Sequence, residues 1–163
     1  YYSGWEHNAV HHVDTLNFLF DAEIRLIDLV NSKNSKYSLD PSLSFNAKFV
    51  NKPGKIYFNT FDENDYQLFD LELQFDKSRV RFEDFGARII VEKHHINSID
   101  ERVIRLQSNN LEVKTKTPMQ NAINLICQSI ANNQPELLNG LRISDSVRTM
   151  KTIWQGKELY EKY

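Results

Sequence analysis

The stretch from Leu43 to Phe49 reads Leu-Ser-Phe-Asn-Ala-Lys-Phe, with every apolar side chain on one side of an extended chain and every polar one on the other. This two-residue period is that of a half-buried strand with one buried face and one polar face. The period returns at Phe69, Leu71, Leu73 and Phe75, opposite Asp70, Glu72 and Gln74. Between the two runs, Asn51 to Lys55 (NKPGK) carries turn chemistry, and Ile56, Phe58 and Thr60 open a return strand. A second turn, Phe75 to Arg79 (FDKSR), leads into Val80 and Phe82, and Phe85-Gly86 breaks that strand before Ile89 and Val91. Val103–Leu106 and Leu111–Val113 flank a further turn at Ser108-Asn109-Asn110. With Glu23 to Asn31 this gives roughly seven or eight strands, and connections this short favour antiparallel pairing.

Helices flank the strands. Val10, Val13, Leu16, Leu19 and Phe20 recur at three- and four-residue steps, which predicts a helix over 8–20. Thr117-Pro118-Met119-Gln120 is a helix-start pattern, followed by the stripe Met119, Ala122, Ile123, Ile126 and Ile130 and ended by Asn133 to Pro135. A last helix is capped by Ser144 or Asp145, turns Val147, Met150, Ile153 and Trp154 to the core, and stops at Gly156. The expected class is α+β: a large, mostly antiparallel open sheet with helices packed on one face. Its other face carries Asn46, Lys48, Asp70, Glu72, Arg79, Arg81 and Glu83, either solvated or used for self-association.

Composition narrows the function. The 163 residues fit one domain able to close its own core, and a net charge of −2 offers no basic excess for nucleic acid. One cysteine, Cys127, excludes an internal disulfide, is expected to be buried and inert, and fits a reducing, cytoplasmic setting. The uncharged stretch from Pro118 to Pro135 is too rich in Asn and Gln for a membrane span. The start at Tyr1-Tyr2-Ser3 lacks an initiator methionine and suggests a cut from a longer protein.

Chemistry concentrates at the first helix, where His7, His11 and His12 crowd beside Asp14. Residues three and four apart share a helix face, so His7, His11 and Asp14 point together. Such a set can hold zinc, although HExxH is absent because Asn8 follows His7. No GxSxG elbow is present. Gly4, Gly54, Gly86, Gly140 and Gly156 are too scattered for a phosphate-cradling loop.

The stretch Gly4 to Phe20 (GWEHNAVHHVDTLNFLF) resembles the opening of the C-terminal domain in the glucose–fructose oxidoreductase, inositol dehydrogenase and rhizopine-catabolism (Gfo/Idh/MocA) family. Members commonly show an Asp, a Gly two residues on, a His two further on and a second Asp three beyond. His11 and Asp14 match the His and second Asp, Ala9 stands at the small-residue position, and Asn17 to Phe20 resembles the helix end. The order of elements through to Ser129–Tyr160, similar to the family's closing helices, extends the likeness over the whole chain. The departure is His7, where family enzymes often carry the first Asp.

The resemblance implies that 1–163 is a C-terminal substrate-binding and oligomerisation domain whose N-terminal Rossmann partner is absent from this chain. NAD or NADP would be bound mainly by that missing domain, with no metal. The substrate would be a sugar, sugar derivative or cyclitol. His11 would relay the hydroxyl proton, His7 would replace the acidic neighbour, and Asp14 would orient the helix start. Asn8 would contact substrate, and Trp5 and Tyr2 either line the sugar pocket or pack a linker. Glu92-Lys93-His94 is not the family's lysine motif, since it falls at a strand end. The isolated chain is then expected to be inactive, with homo-oligomerisation through the open sheet face. The alternatives are a non-catalytic α+β scaffold and a metal-binding protein using His7, His11 and Asp14.

Overall fold

The fold is taken from a computed structural model that describes residues 4–33, 40–59, 70–83, 87–96, 104–112, 118–135 and 142–162. A π-helical turn, Trp5–Ala9, runs directly into α1 (Val10–Phe20). Among the described residues seven strands follow: β1 (Ile24–Lys33), β2 (Ser42–Phe49), β3 (Lys55–Phe58), β4 (Leu71–Phe75), β5 (Ser78–Glu83), β6 (Arg88–Ile96) and β7 (Ile104–Glu112). Helices α2 (Pro118–Asn132) and α3 (Ile143–Tyr160) close the order. The class is α+β, as expected. The single large sheet is not found: the strands form two separate antiparallel sheets, β1-β2-β3 and β4-β5-β6-β7. The chain divides accordingly into two compact units, one built from 1–64 and 126–163 and the other from 65–125.

The first unit carries the main core of the described residues. Leu43, Phe45, Ala47 and Phe49 on β2 are buried and Asn46 and Lys48 are exposed, as the two-residue period requires, whereas Ser44, expected on the polar side, is buried and donates its hydroxyl to Asn59 Oδ1 at 2.8 Å. Trp5 fills the middle with none of its surface exposed, edge-on to Phe45 at 4.6 Å and to Phe58 at 5.6 Å between ring centroids. Val13 and Leu16 from α1 and Ile153 from α3 complete the layer. The β2–β3 turn needs Gly54, whose φ of 137° is strained for any side chain and where a Cβ would meet the Phe49 ring at 3.3 Å.

Helix α3 differs from its reading in the sequence. It begins after Arg142, whose backbone N–H donates to the Asp145 carboxylate, and it runs through Gly156 to Tyr160. Its buried side chains are Thr149, Thr152, Ile153 and Gly156, whereas Val147 and Trp154 are exposed. The reason is the partner it packs on. The Thr152 hydroxyl donates to Ile24 C=O at 3.0 Å. The Gln155 amide accepts Leu26 N–H at 3.0 Å and donates to Leu26 C=O at 3.1 Å. β1 is an edge strand, and α3 offers it the donor and acceptor that a further strand would supply. Polar residues that pair with backbone therefore occupy the buried face.

Gly156 has a different task from helix termination. A Cβ there would overlap the Trp5 indole ring. Helix α2 also departs from expectation: Ile123, Ile126 and Ile130 are exposed. Cys127 is exposed rather than buried. Asn133 ends α2 with a φ of 52°, and Gln134 N–H returns to Ser129 C=O at 2.9 Å.

The second unit is a four-stranded meander. The polar residues expected on one broad face are thus divided, Asn46 and Lys48 on the first sheet and Glu72, Arg79, Arg81 and Glu83 on the second. The face of the second sheet is an ion-pair network and not simply solvated. Arg79 Nε donates to Glu92 at 2.5 Å, Arg81 contacts Glu83 at 3.0 Å, and Arg88 also pairs with Glu83. Glu92 is only 8% exposed. The Arg79 hydrogen bond, aided by the charges of Arg79 and Arg81 and opposed by burial, holds the Glu92 carboxyl below its ordinary 4.5.

Two outcomes follow from this packing. Gly156→Ala should destabilise the first unit: the better helix former gains about 1 kcal/mol, but overpacking against Trp5 costs about 1–3 kcal/mol. Urea denaturation with indole fluorescence measures the net sign. Because the Glu92 value is depressed in the fold, its contribution is present above pH 4.5 and lost as pH falls through the lowered value. Glu92→Gln should therefore flatten the acid loss of stability when urea midpoints at neutral pH and about pH 3 are compared.

Candidate functional site

The start of the first helix is gripped from two sides. Trp5 N–H donates to Pro41 C=O at 3.0 Å, which ties the chain to the beginning of β2. Next to it the Asp40 carboxylate, 5% exposed, takes the Glu6 N–H on Oδ1 and the His7 N–H on Oδ2, both at 2.9 Å. These N–H groups lack partners within the helix, and a carboxylate is the acceptor that best suits them. Gly4 makes the approach possible, because a Cβ there would overlap the Asp40 side chain and backbone. From α3, Lys157 Nζ reaches Glu6 at 2.8 Å, and that hydrogen bond raises the lysine above its ordinary 10.5. The pair's contribution is thus present at neutral pH and lost only as pH climbs through the raised value.

His7 is exposed on this turn, and its Nδ1 lies 2.9 Å from Asp40 Oδ2. His11, one turn on in α1, is also exposed, as is Asn8, whose backbone N–H bonds Gly4 C=O at 3.1 Å. Asp14, itself exposed, meets a side chain of α3. Thr149 Oγ1 accepts from the buried Asn17 amide at 3.2 Å and donates its hydroxyl proton to Asp14 Oδ1 at 2.9 Å. The carboxylate thus links α1 to α3.

Other expectations part from the structure. Trp5 has no face for a sugar: its ring is enclosed in the core of the first unit and its indole N–H donates to Ile153 C=O at 3.0 Å. Tyr2 lies outside the described residues. His7, His11 and Asp14 do not form a metal centre, since no group of three or more His, Cys, Asp or Glu able to hold an ion occurs among the described residues. His94 is on β6 of the second unit.

Sequence reasoning missed Asp40, Glu6 and Lys157. Asp40-Pro41 is visible as turn chemistry before β2, but its bond to a helix start 33 residues away has no local signal.

The described glycines do not form a phosphate cradle for a dinucleotide. Its phosphates need consecutive N–H groups from a glycine-rich turn. Gly4 is pressed against Asp40, Gly156 against Trp5 and Gly54 against Phe49, and no such turn occurs among the described residues. Nor is any helix among the described residues long and apolar enough to cross a membrane. No protein-family model, curated protein or solved structure matches the chain.

Replacing Thr149 by Val should cost about 1–3 kcal/mol, because the buried Asn17 amide and Asp14 lose their shared hydroxyl. Thr149→Ser, which keeps that hydroxyl, should cost less, and paired urea titrations separate the two.

Proposed function

We propose that this chain is the substrate-side domain of an NAD(P)-dependent oxidoreductase acting on a secondary alcohol of a sugar, sugar derivative or cyclitol. The observation that carries the reading is the helix start: two exposed imidazoles, His7 and His11, on backbone fixed from beneath by Asp40, Pro41 and Trp5. Neutral imidazole both donates and accepts hydrogen bonds, which suits a ligand made of hydroxyl groups. The Gfo/Idh/MocA likeness of residues 4–20 supplies the substrate class. The dinucleotide's phosphates belong to a Rossmann domain elsewhere in the parent polypeptide, and the bound nicotinamide would supply the hydride chemistry. A second copy of the chain, meeting this one through a polar sheet face, is the other partner this reading calls for. A cytoplasmic location goes with it, one cysteine in the chain being consistent with a reducing compartment.

A scaffold without catalysis is the second reading. It is favoured by Trp5 and Asp14, two candidate site residues whose polar groups are engaged within the fold.

Fluorescence titration with NADH and NADPH, run on this chain and on the parent polypeptide, tests the choice. Binding by the parent alone, with turnover of one member of a sugar and cyclitol panel, is the expected result. Failure of the parent to bind either cofactor removes the oxidoreductase reading and leaves the scaffold.

A further inference from the structure

The outward face of the first sheet gathers charge in a way the second sheet avoids. Register sets Arg25 on β1 beside Lys48 on β2, and Lys48 beside Lys55 on β3. All three residues are exposed, and Arg25 and Lys48 alternate with Ile24, Leu26, Ala47 and Phe49, which are buried on the core side. Neighbouring strands lie about 4.8 Å apart, so three cations stand in one line about 10 Å long. Salt at 0.1 M screens only beyond about 10 Å, and like charges directly opposite one another across strands destabilise a sheet.

The second sheet does the reverse. There Glu72 faces Arg81, Arg79 faces Glu92 and Glu83 faces Arg88 on neighbouring strands. Among the described residues, Arg25, Lys48 and Lys55 enter no ion pair. Two carboxylates share the face. Glu23, two residues before Arg25, forms no ion pair with it, and Asp28 receives the Asn46 amide at 3.0 Å. A lysine on an edge strand blocks unwanted pairing, which accounts for Lys55 on β3. Lys48 lies on the central strand, where no edge needs guarding.

We propose that Arg25, Lys48 and Lys55 form a site for the phosphate group of a soluble phosphate monoester. The chemistry of the row selects phosphate over carboxylate. A phosphate monoester carries about −1.5 to −2 charge at neutral pH and three acceptor oxygens, whereas a carboxylate brings a single charge and two oxygens. Arg25 supplies a planar fork suited to phosphate, and the lysines act as point charges on flexible stems. An anion above Lys48 gives the side chains of both flanking strands a common partner, which replaces their mutual repulsion with attraction. Tyr57, 57% exposed and opposite Asn46 in the adjoining row, offers a ring and a hydroxyl to the group that carries the phosphate. The site needs neither cofactor nor polyol and is independent of the oxidoreductase reading.

Amide proton–nitrogen spectra of the ¹⁵N-labelled chain, titrated with methyl phosphate at pH 7, test the site. The amides of Arg25, Lys48 and Lys55 should shift along a curve that saturates, while sodium chloride at the same ionic strength leaves them in place. Lys48→Gln should raise the dissociation constant at least about tenfold, since a hydrogen bond to a charged group is lost. Lys48→Arg, which keeps the charge, should preserve it. Position 48 is exposed, so both variants leave the core intact. Shifts that never saturate, that chloride reproduces, or that survive Lys48→Gln unchanged overturn the proposal. Vesicles of phosphatidylcholine containing phosphatidic acid, whose headgroup is also a phosphate monoester, form the last arm. Capture by these vesicles without saturation by methyl phosphate overturns the proposal as well, and gives the row to a membrane surface.

Discussion

The hydrogen bond from the Trp5 indole to Ile153 C=O joins the beginning of the first unit to its last helix, inside a ring of aromatic contacts with Phe45 and Phe58. An indole buried without a partner for its N–H would be costly, and a large ring beside an ordinary helix residue would clash. Ile153 removes the first problem and Gly156, one turn along, removes the second. With the ring seated, residues 4–7 have one position only. The turn before α1, the start of β2 and the second half of α3 therefore converge on the same few atoms.

Around that seat the fold relies on side chains that complete other elements' backbones. Asp40 accepts the open N–H groups of the first helix, and Thr152 and Gln155 serve the open edge of β1. The Asp14–Thr149–Asn17 chain fastens α1 to α3 in the same manner. Polar pairing of this kind fixes relative position more narrowly than apolar contact, because a hydrogen bond tolerates less displacement than a hydrophobic one. The exposed imidazoles inherit that rigidity, and preorganisation of this sort is what a binding or catalytic group needs.

Much of this was legible in the residues. The period of two through Leu43, Phe45, Ala47 and Phe49 announced β2 and its buried face, and Asn133 marked the end of α2. What failed was inference from apolar spacing alone. On α3 it selected Val147 and Trp154, because the true inward residues, Thr149 and Thr152, look like surface residues until their backbone and side-chain partners are known. It read Gly156 as a stop signal when the absent side chain serves a tertiary contact. Local alternation likewise gave the strands but not their division into two sheets, which depends on pairing between distant segments. At the candidate site, the histidines were visible as a cluster. The carboxylate partner of His7 was not, since its role exists only once β2 has docked.

The Trp5–Ile153 bond spans 148 positions of sequence. A contact that distant cannot form early on the ribosome. Trp5 is translated near the beginning of this segment, and its acceptor and the glycine that makes room for it come almost at the end. Between them the chain must emit the whole of the second unit, which interrupts the first. Until α3 emerges, the largest side chain of the core has no complete pocket and the outer edge of β1 lacks Thr152 and Gln155. The nascent chain thus passes through a period with an open strand edge and an uncovered indole, the surfaces that holdase chaperones bind. In this topology the order of synthesis makes α3 the element that ends that exposure.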